Sequence, residues 1–426
     1  MESHRVLIIG SGGRENALAW KISQSRFCDK LFIAPGNAGT SLLGENVEIS
    51  VSDFIAIRDF ILSKKISIVV VGPEDPLVNG IHDFLTNEIK NDNLIVIGPK
   101  KNGAILEGSK EFAKEFMYRH KIPTARYRTF NKKNIHEANA FLNSLNPPYV
   151  LKADGLAAGK GVLILTDLNE AKQSLEKMIL KKKFGQASER VVIEEYLNGI
   201  EVSSFVLTDG ESYKIFPMAK DYKRIGVGDT GLNTGGMGAI SPVPFVDQKL
   251  YKKIENQVIR PTIKGLKKDK IDYTGFLFIG LMIVKSEPYV IEYNVRLGDP
   301  ETEAILPRIE SDLLEIFLQL KSSKLQASNL RVSDLFSSTI MTVSKGYPEK
   351  YEKGKIITGL DCKSQSFLFH SGTKKEGRNI VTSGGRVIAV SSMDKYLKKA
   401  LEKSYETISK IDFEGKTFRN DIGFDI

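Results

Sequence analysis

The spacing of apolar and polar residues divides the chain into three stretches. Up to about residue 100, short apolar runs alternate with helical patterns: RVLIIG, ENALAWKI, KLFIAP, FIAIRDFILSKK, ISIVVVG and NLIVIG. Short β-rich runs separated by helices predict βαβ units on a parallel sheet. Glycines and prolines follow directly on these runs, where an open α/β sheet binds its ligands. SKEFAKEFMYRHK then predicts a helix closed by Ile122-Pro123. From about residue 148 the pattern becomes strands bounding loops: PYVLKADGLAAGKGVLIL, a helix around 168–182, ERVVIEEYL, EVSSFVL and YKIFPMA. Beyond about residue 330, STIMTVS, SFLFHSGT and RVIAVSS read as strands and MDKYLKKALEKSYETISK as a helix, a separate C-terminal domain.

One strand carries more than packing. In IEYNVRLGDPE, residues 291–301, alternation puts Ile291, Tyr293 and Val295 on one face and Glu292, Asn294 and Arg296 on the other. That polar face is either a wet sheet surface or two oxygen donors for a hard cation followed by a fixed positive charge. Asp299 and Pro300 have the residue types of an N-cap and a first helical position.

Three glycine-rich segments frame this strand. GSGGRE, with Gly10, Gly12, Gly13 and Arg14, joins a strand to a helix whose first amides favour an anion. Glu15 stands where a dinucleotide fingerprint needs its third glycine, and Ile33, Ala34 and Pro35 where it needs an acid, so dinucleotide binding is not expected. DGLAAGKG, residues 154–161, has the wrong spacing for a Walker loop and leads into a strand. It reads as a flexible loop able to fold over phosphates, with Gly155, Gly159, Lys160 and Gly161, and with Lys152 on the strand entering it. NTGGMGA, residues 233–239, follows Asp221, Lys223 and Arg224 in a long loop of functional character. In IEEYLNGIE the strand end over Glu194 and Glu195 offers backbone groups to a purine, and Glu201 an acceptor for ribose hydroxyls.

Composition narrows the class. The net charge of +9, from 61 basic and 52 acidic residues, is spread without a basic-aromatic stripe, which predicts a solvated surface and no nucleic-acid partner. No apolar run reaches membrane-spanning length, and MESHRVLIIGSGGREN lacks a secretory apolar stretch. Cys28 and Cys362, far apart and outside any CxxC motif, argue for a reducing compartment, so the expected location is cytoplasmic.

Together, GSK, KADGLAAGKGV, EEYLNGIEVS, NTGGMGA and EYNVRLGDPE resemble the ATP-grasp superfamily. GSGGREN, PGNAGT, VGPEDPL, KDYKRIGVGDTGLNTGGMGAISPVP, FHSGT, TSGGRVIAV and FRNDIG narrow the resemblance to the glycinamide ribonucleotide synthetases (phosphoribosylamine–glycine ligases) over about residues 5–424. The resemblance implies a Rossmann-like, preATP-grasp substrate-binding domain at 1–102, an ATP-grasp domain at 103–326 with a lid at about 123–190, and a mixed β/α domain at 327–426. It implies ligation of glycine to 5-phosphoribosylamine with ATP and Mg2+ or Mn2+, through glycyl phosphate, by a monomer or weak homodimer. By motif match, Lys110 and Lys152 would contact ATP phosphates beneath the loop 155–161. Glu194, Glu195, Tyr196 and Leu197 would form the adenine hinge, and Glu201 would bind ribose. Glu292 and Asn294 would hold the metal, and Arg296 would meet the glycine carboxylate. Asp221 and Lys223 would serve the glycine and amine side. Gly10, Gly12, Gly13, Arg14, Asn37, Glu74 and Asp75 would receive phosphoribosylamine.

Asn16 and Tyr222 stand where that family usually has histidine, and neither titrates near neutral pH. The chain ends after its own C-terminal domain, so the single-activity form is expected. Another ATP-grasp carboxylate–amine ligase is the alternative, against which GPEDPL and GVGDTGLNTGGMGA weigh. A nucleotide-binding regulator without turnover would be expected to lose Lys152, Glu292, Asn294 or Arg296, and all four are present.

Overall fold

The computed structural model describes residues 3–91, 93–156, 161–321 and 325–426. The first sheet is wholly parallel, in the order Glu45–Asn46, Cys28–Pro35, His4–Gly10, Ile68–Val71, Ile95–Ile97. Val6, Leu7, Ile8 and Ile9 are all fully buried, because helices cover both faces and leave no polar side to alternate with. The chain reverses direction across the sheet at His4–Gly10, so Gly10, Gly36 and Gly72 meet at its carboxyl edge.

A second, antiparallel sheet of four strands, Tyr127–Asn131, Arg190–Glu195, Tyr149–Ala153 and Val162–Leu165, is backed by the helices Ala138–Asn143 and Leu168–Ile179. Its small core, with Phe130, Leu151, Leu175 and Met178, is separate from the others. The third sheet is the largest. It runs Glu287–Asn294, Gly275–Val284, Ile200–Thr208, Tyr213–Asp221, Gly238–Ser241, Phe336–Ser344, Arg386–Asp394, Phe367–His370. Its last three strands come from the C-terminal hundred residues and join the rest through pairing of Gly238–Ser241 with Phe336–Ser344. The parallel α/β unit, the small four-stranded sheet and the large antiparallel sheet make the α/β fold that the sequence pattern implies. No helix among the described residues is long and apolar enough to cross a membrane.

The strand Glu287–Asn294 departs from simple alternation. Gly280 pairs with Glu292 and Leu281 with Val290, so Ile291 is an extra, bulged residue. The bulge re-phases the strand: Val290 and then Tyr293 and Val295 enter the same core, while Ile291 is half-buried. Strand pairing also stops at Asn294, two residues short of Arg296. Asp299 does not cap the helix Glu301–Ile305; Pro300 stands at that cap. The Asp299 carboxylate instead accepts from the Arg14 amide, in the first turn of Gly13–Ile22, at 3.3 Å, and pairs with Arg386 at 3.1 Å. The expected 233–239 loop is preceded by a hairpin, Arg224–Gly226 with Thr230–Asn233, pinned by Arg419 and Asp421.

The parallel unit meets the large sheet where Gly98 N–H donates to the Thr274 carbonyl at 3.0 Å. Gly275 lies beside it with φ +133°, and a Cβ there would stand 2.6 Å from the Gly98 nitrogen. Gly275→Ala is therefore expected to lower stability by about 2 kcal/mol or more, since left-handed strain and backbone contact add. A thermal unfolding midpoint equal to that of the unsubstituted protein would count against this close contact.

Candidate active site

The carboxyl end of Glu287–Asn294 faces the four-stranded sheet and two lysines. Lys152, on the buried strand Tyr149–Ala153, reaches the Ile291 carbonyl at 3.3 Å, a group the bulge frees from the ladder. Its ammonium also lies 3.0 Å from Glu194, which Lys114 contacts at 3.0 Å from the opposite side. Burial pushes the Lys114 ammonium down to about 8, against the pull of Glu194. Lys110 opens the helix Lys110–Arg119 and points at the Gly155 carbonyl, 3.4 Å away. That turn is fixed by Asp154, which accepts from Ser109 Oγ, from the Glu111 amide and from Arg190.

Glu292 is the centre of the cluster. Burial pushes its carboxyl up, but Lys223, Lys152, Lys110 and Arg296 together hold it below the usual carboxylate range. Asn294 is buried; its Oδ1 accepts from Arg296 at 3.3 Å and its Nδ2 has no partner. Among the described residues no three His, Cys, Asp or Glu side chains form a metal cage. Two hard oxygen donors without a cage fit a cation that takes its remaining ligands from water and phosphate.

Arg296 is gripped on several sides. Its Nη2 donates to Glu107 at 2.8 Å and its Nε to Glu74 at 3.2 Å, the latter across the junction with the parallel unit. Burial pushes Glu107 up to about 7, against Arg296 and with Glu74 and Glu292. Lys223 is 2.5 Å from Glu201 and 3.9 Å from Asp221. Burial, with Glu301 and Glu201, pushes Asp221 up to about 7 against Lys223.

Lys110, Lys152, Glu292, Asn294, Arg296, Asp221, Lys223 and Glu201 are thus brought into one cluster of direct contacts and facing charges, the last as a partner of Lys223. The Glu194 side chain serves two lysines. The Glu195 side chain accepts from the Arg126 amide at 2.7 Å and its own amide donates to the Arg126 carbonyl at 2.9 Å, while Tyr196 is exposed and Leu197 half-buried. Gly155 hydrogen-bonds through its amide to the Ala187 carbonyl, and the Gly161 carbonyl accepts from the Ala153 amide. Gly159 and Lys160 lie outside the described residues.

Two amides of the glycine turn at the parallel sheet are taken by carboxylates. The Gly12 amide donates to Glu15 at 2.5 Å, and the Arg14 amide to Asp299. The Arg14 guanidinium is buried against Glu15 and the Leu297 carbonyl. Gly10 and Gly13 have Glu15 and Glu303 respectively against their α-carbons. Asn37 donates to the Ser11 and His370 carbonyls and accepts from the Gly39 and Thr40 amides, so it joins the parallel unit to the C-terminal strands. Glu74 faces Arg296, and Asp75 beside it is exposed.

Sequence reasoning missed Glu107, Lys114 and Glu301. Lys114 lies one helical turn after Lys110, a spacing that could have marked it. Glu301, buried and bonded to Ser203 Oγ at 3.1 Å, follows the quoted GDP. Asn16 and Tyr222 hold packing positions: Asn16 accepts from the His370 amide at 2.6 Å, and Tyr222 donates to Asp425 beneath Arg419.

Three family models together match nearly the whole chain: phosphoribosylglycinamide synthetase N domain over 4–107, ATP-grasp (A) domain over 108–302 and C domain over 337–425. The chain belongs to the phosphoribosylglycinamide synthetase family. A phosphoribosylamine–glycine ligase of Chlorobaculum tepidum is 44% identical over 426 residues, covering 98% of this chain and 99% of the relative. A bifunctional purine biosynthetic protein of Pichia angusta is 44% identical over 99% of this chain and 54% of its own length. The crystal structure of phosphoribosylamine–glycine ligase from Thermotoga maritima superposes with a TM-score of 0.85 at 35% identity, covering 98% and 99% of the two chains. The biotin carboxylase domain of Hydrogenobacter thermophilus 2-oxoglutarate carboxylase, at 13% identity and a TM-score of 0.73 over 98% and 92%, shares the fold.

Burial pushes the Glu74 carboxyl up, but Arg296 and Arg14 outweigh it and hold it at about 2. A lowered folded-state value stabilises the protein above the unfolded value near 4.5, and that stability is lost as pH falls toward 2. The shift corresponds to at most about 3 kcal/mol. In urea unfolding at a series of pH values, Glu74→Gln should lower stability at pH 7 and flatten the rise between pH 2 and 5. An acid limb of unchanged steepness would show that Glu74 is not held this way.

Proposed function

We propose that this protein is the ATP-dependent phosphoribosylamine–glycine ligase of purine biosynthesis. It joins glycine to 5-phosphoribosylamine and yields glycinamide ribonucleotide, ADP and phosphate. The observation that carries this reading is the convergence of Lys110, Lys152, Lys223 and Arg296 on the ionised Glu292, in a chain of this family. A site of that charge suits a triphosphate and a reacting carboxylate.

Phosphoryl transfer of this kind is catalysed mainly by positioning and by stabilising charge. A glycine carboxylate oxygen attacks the γ-phosphorus, the bond to the β-phosphate bridge breaks, and ADP and glycyl phosphate result. The amine nitrogen of phosphoribosylamine then attacks the acyl carbon, phosphate leaves, and the nitrogen gives up a proton. Lys110 and Lys152 hold the phosphates as point charges. Glu292 and Asn294 hold a divalent cation, Mg2+ or Mn2+, which when bound neutralises phosphate oxygens. Arg296 faces the carboxylate with its remaining Nη1 hydrogen. Asp221, raised toward neutrality, accepts the proton at its carboxylate, and Lys223 holds it in place. Glu194 through Leu197 border the adenine, and Glu201 exchanges Lys223 for ribose hydroxyls. Asp75 and the surroundings of Glu74, at the carboxyl edge of the parallel sheet, receive the ribosyl amine. Both cysteines are free, which suits the cytoplasm, and small molecules are the only partners this reading requires.

ADP release measured with each substrate omitted in turn, and phosphoribosylamine generated in situ, should require glycine, the amine and a divalent cation. Glu292→Ala should reduce release by at least about 10³-fold while the circular dichroism spectrum is kept. Turnover near the unsubstituted rate in that variant, or a requirement for another acid in place of glycine, would refute the assignment.

A further inference from the structure

Arg296 and Asn294 owe their geometry to a residue outside their own strand. Strand pairing ends at Asn294, which leaves the buried Val295 amide without a ladder partner. One carboxylate fills that gap: Glu107, buried near the end of the helix Lys101–Gly108, accepts from the Val295 amide at 2.7 Å with Oε2. Its Oε1 accepts from Arg296 Nη2 at 2.8 Å. The same Nη2 donates onward to Asn294 Oδ1 at 3.3 Å. A carboxylate that bridges a main-chain amide and a guanidinium fixes both in position and in rotation. Partners behind a ligand decide how its donor atom is aimed.

We propose that Glu107 is a positioning residue for the ligase reaction, setting the Arg296 guanidinium and, through it, the Asn294 amide oxygen that faces the cation. This rests on the reading of Glu292, Asn294 and Arg296 given above. Glu74 also bonds Arg296, but with one oxygen, at 3.2 Å, and its main-chain contact is to its own amide and not to the segment that carries Arg296. It cannot replace the double contact. Glu107 further lies three residues before Lys110 at the turn between two helices, so one short segment aims both the phosphate lysine and the far side of the site.

The test uses the full-length protein and Glu107→Gln, whose amide can accept from Val295 but turns an N–H toward Arg296. Mn2+ binding is followed by paramagnetic resonance with a non-hydrolysable ATP analogue present, and kcat and KM for glycine are measured separately. Glu107→Gln should weaken Mn2+ binding by about 10- to 100-fold. It should also lower kcat by about 10²-fold, with binding of the ATP analogue in the absence of metal unchanged. Should this variant fail to fold, Glu107→Asp keeps the charge but is too short to span both contacts, and the same losses are expected in weaker form. In Arg296→Gln, adding Glu107→Gln should cost little more, because both act through one guanidinium; losses that multiply would overturn the proposal. A folded Glu107 variant with unchanged Mn2+ affinity and kcat overturns it as well. Glu292→Ala separates the two readings: if it is inactive while Glu107→Gln is unimpaired, this inference falls and the ligase assignment stands.

Discussion

Cations crowded into one cleft repel one another, and here the repulsion is relieved by carboxylates set between them. Glu194 stands between Lys114 and Lys152, Glu201 and Asp221 beside Lys223, and Glu74 and Glu107 around Arg296. A buried charge without a partner costs several kcal/mol, so the acids are a condition for holding the bases there at all. The interleaving also leaves the site adaptable. In the proposed reaction an arriving triphosphate would offer each lysine a stronger partner than the acid it leaves, and Glu292, held ionised by four cations, would need no proton loss to accept a metal.

The same economy of contacts binds the site to the rest of the chain. Four of the five residues after Asn294 are held: Val295 by Glu107, Arg296 by Glu74, the Leu297 carbonyl by the Arg14 guanidinium, and Asp299 by the Arg14 amide. Arg386, from the C-terminal strands, donates to the carbonyls of both Asp299 and Gly235. The segment that follows Glu292 and Asn294 is thereby tied to the first turn of the parallel unit and to the 233–239 loop. The proposed reaction, with an acyl phosphate on one side and an amine on the other, would require such a fixed distance, since small errors in approach are costly in rate.

Asn16 and Tyr222 make structural contacts that need no titrating group. Asn16 is buried and accepts from the His370 main chain, a task that needs an oxygen and no titrating group. Tyr222 places its hydroxyl on Asp425 and its ring against Arg419 and Lys220, which packs the chain end against the large sheet. Both contribute to joints between parts of the molecule, and Tyr222 does so with a side chain turned to Asp425 while its neighbours Asp221 and Lys223 serve the Glu292 cluster.

The parallel sheet, the helix after Ser109 and the polar character of Glu292, Asn294 and Arg296 were legible in the sequence, because apolar periodicity and residue chemistry are local properties. The phase of the strand was not. The bulge at Ile291 arises from pairing with Gly280 and Leu281, and it moves Ile291 off the core face and frees its carbonyl for Lys152. Within the expected anion site from Gly10 to Arg14, the Arg14 amide donates to Asp299, which lies 285 residues away. Glu107 lies 189 residues from Arg296, and Lys114 meets Glu194 across a sheet boundary. The sequence by itself determined which side chains can bind phosphate, metal and carboxylate. Only the tertiary structure decided which acid neutralises which base, because burial forces each charge to find its partner in space and not along the chain.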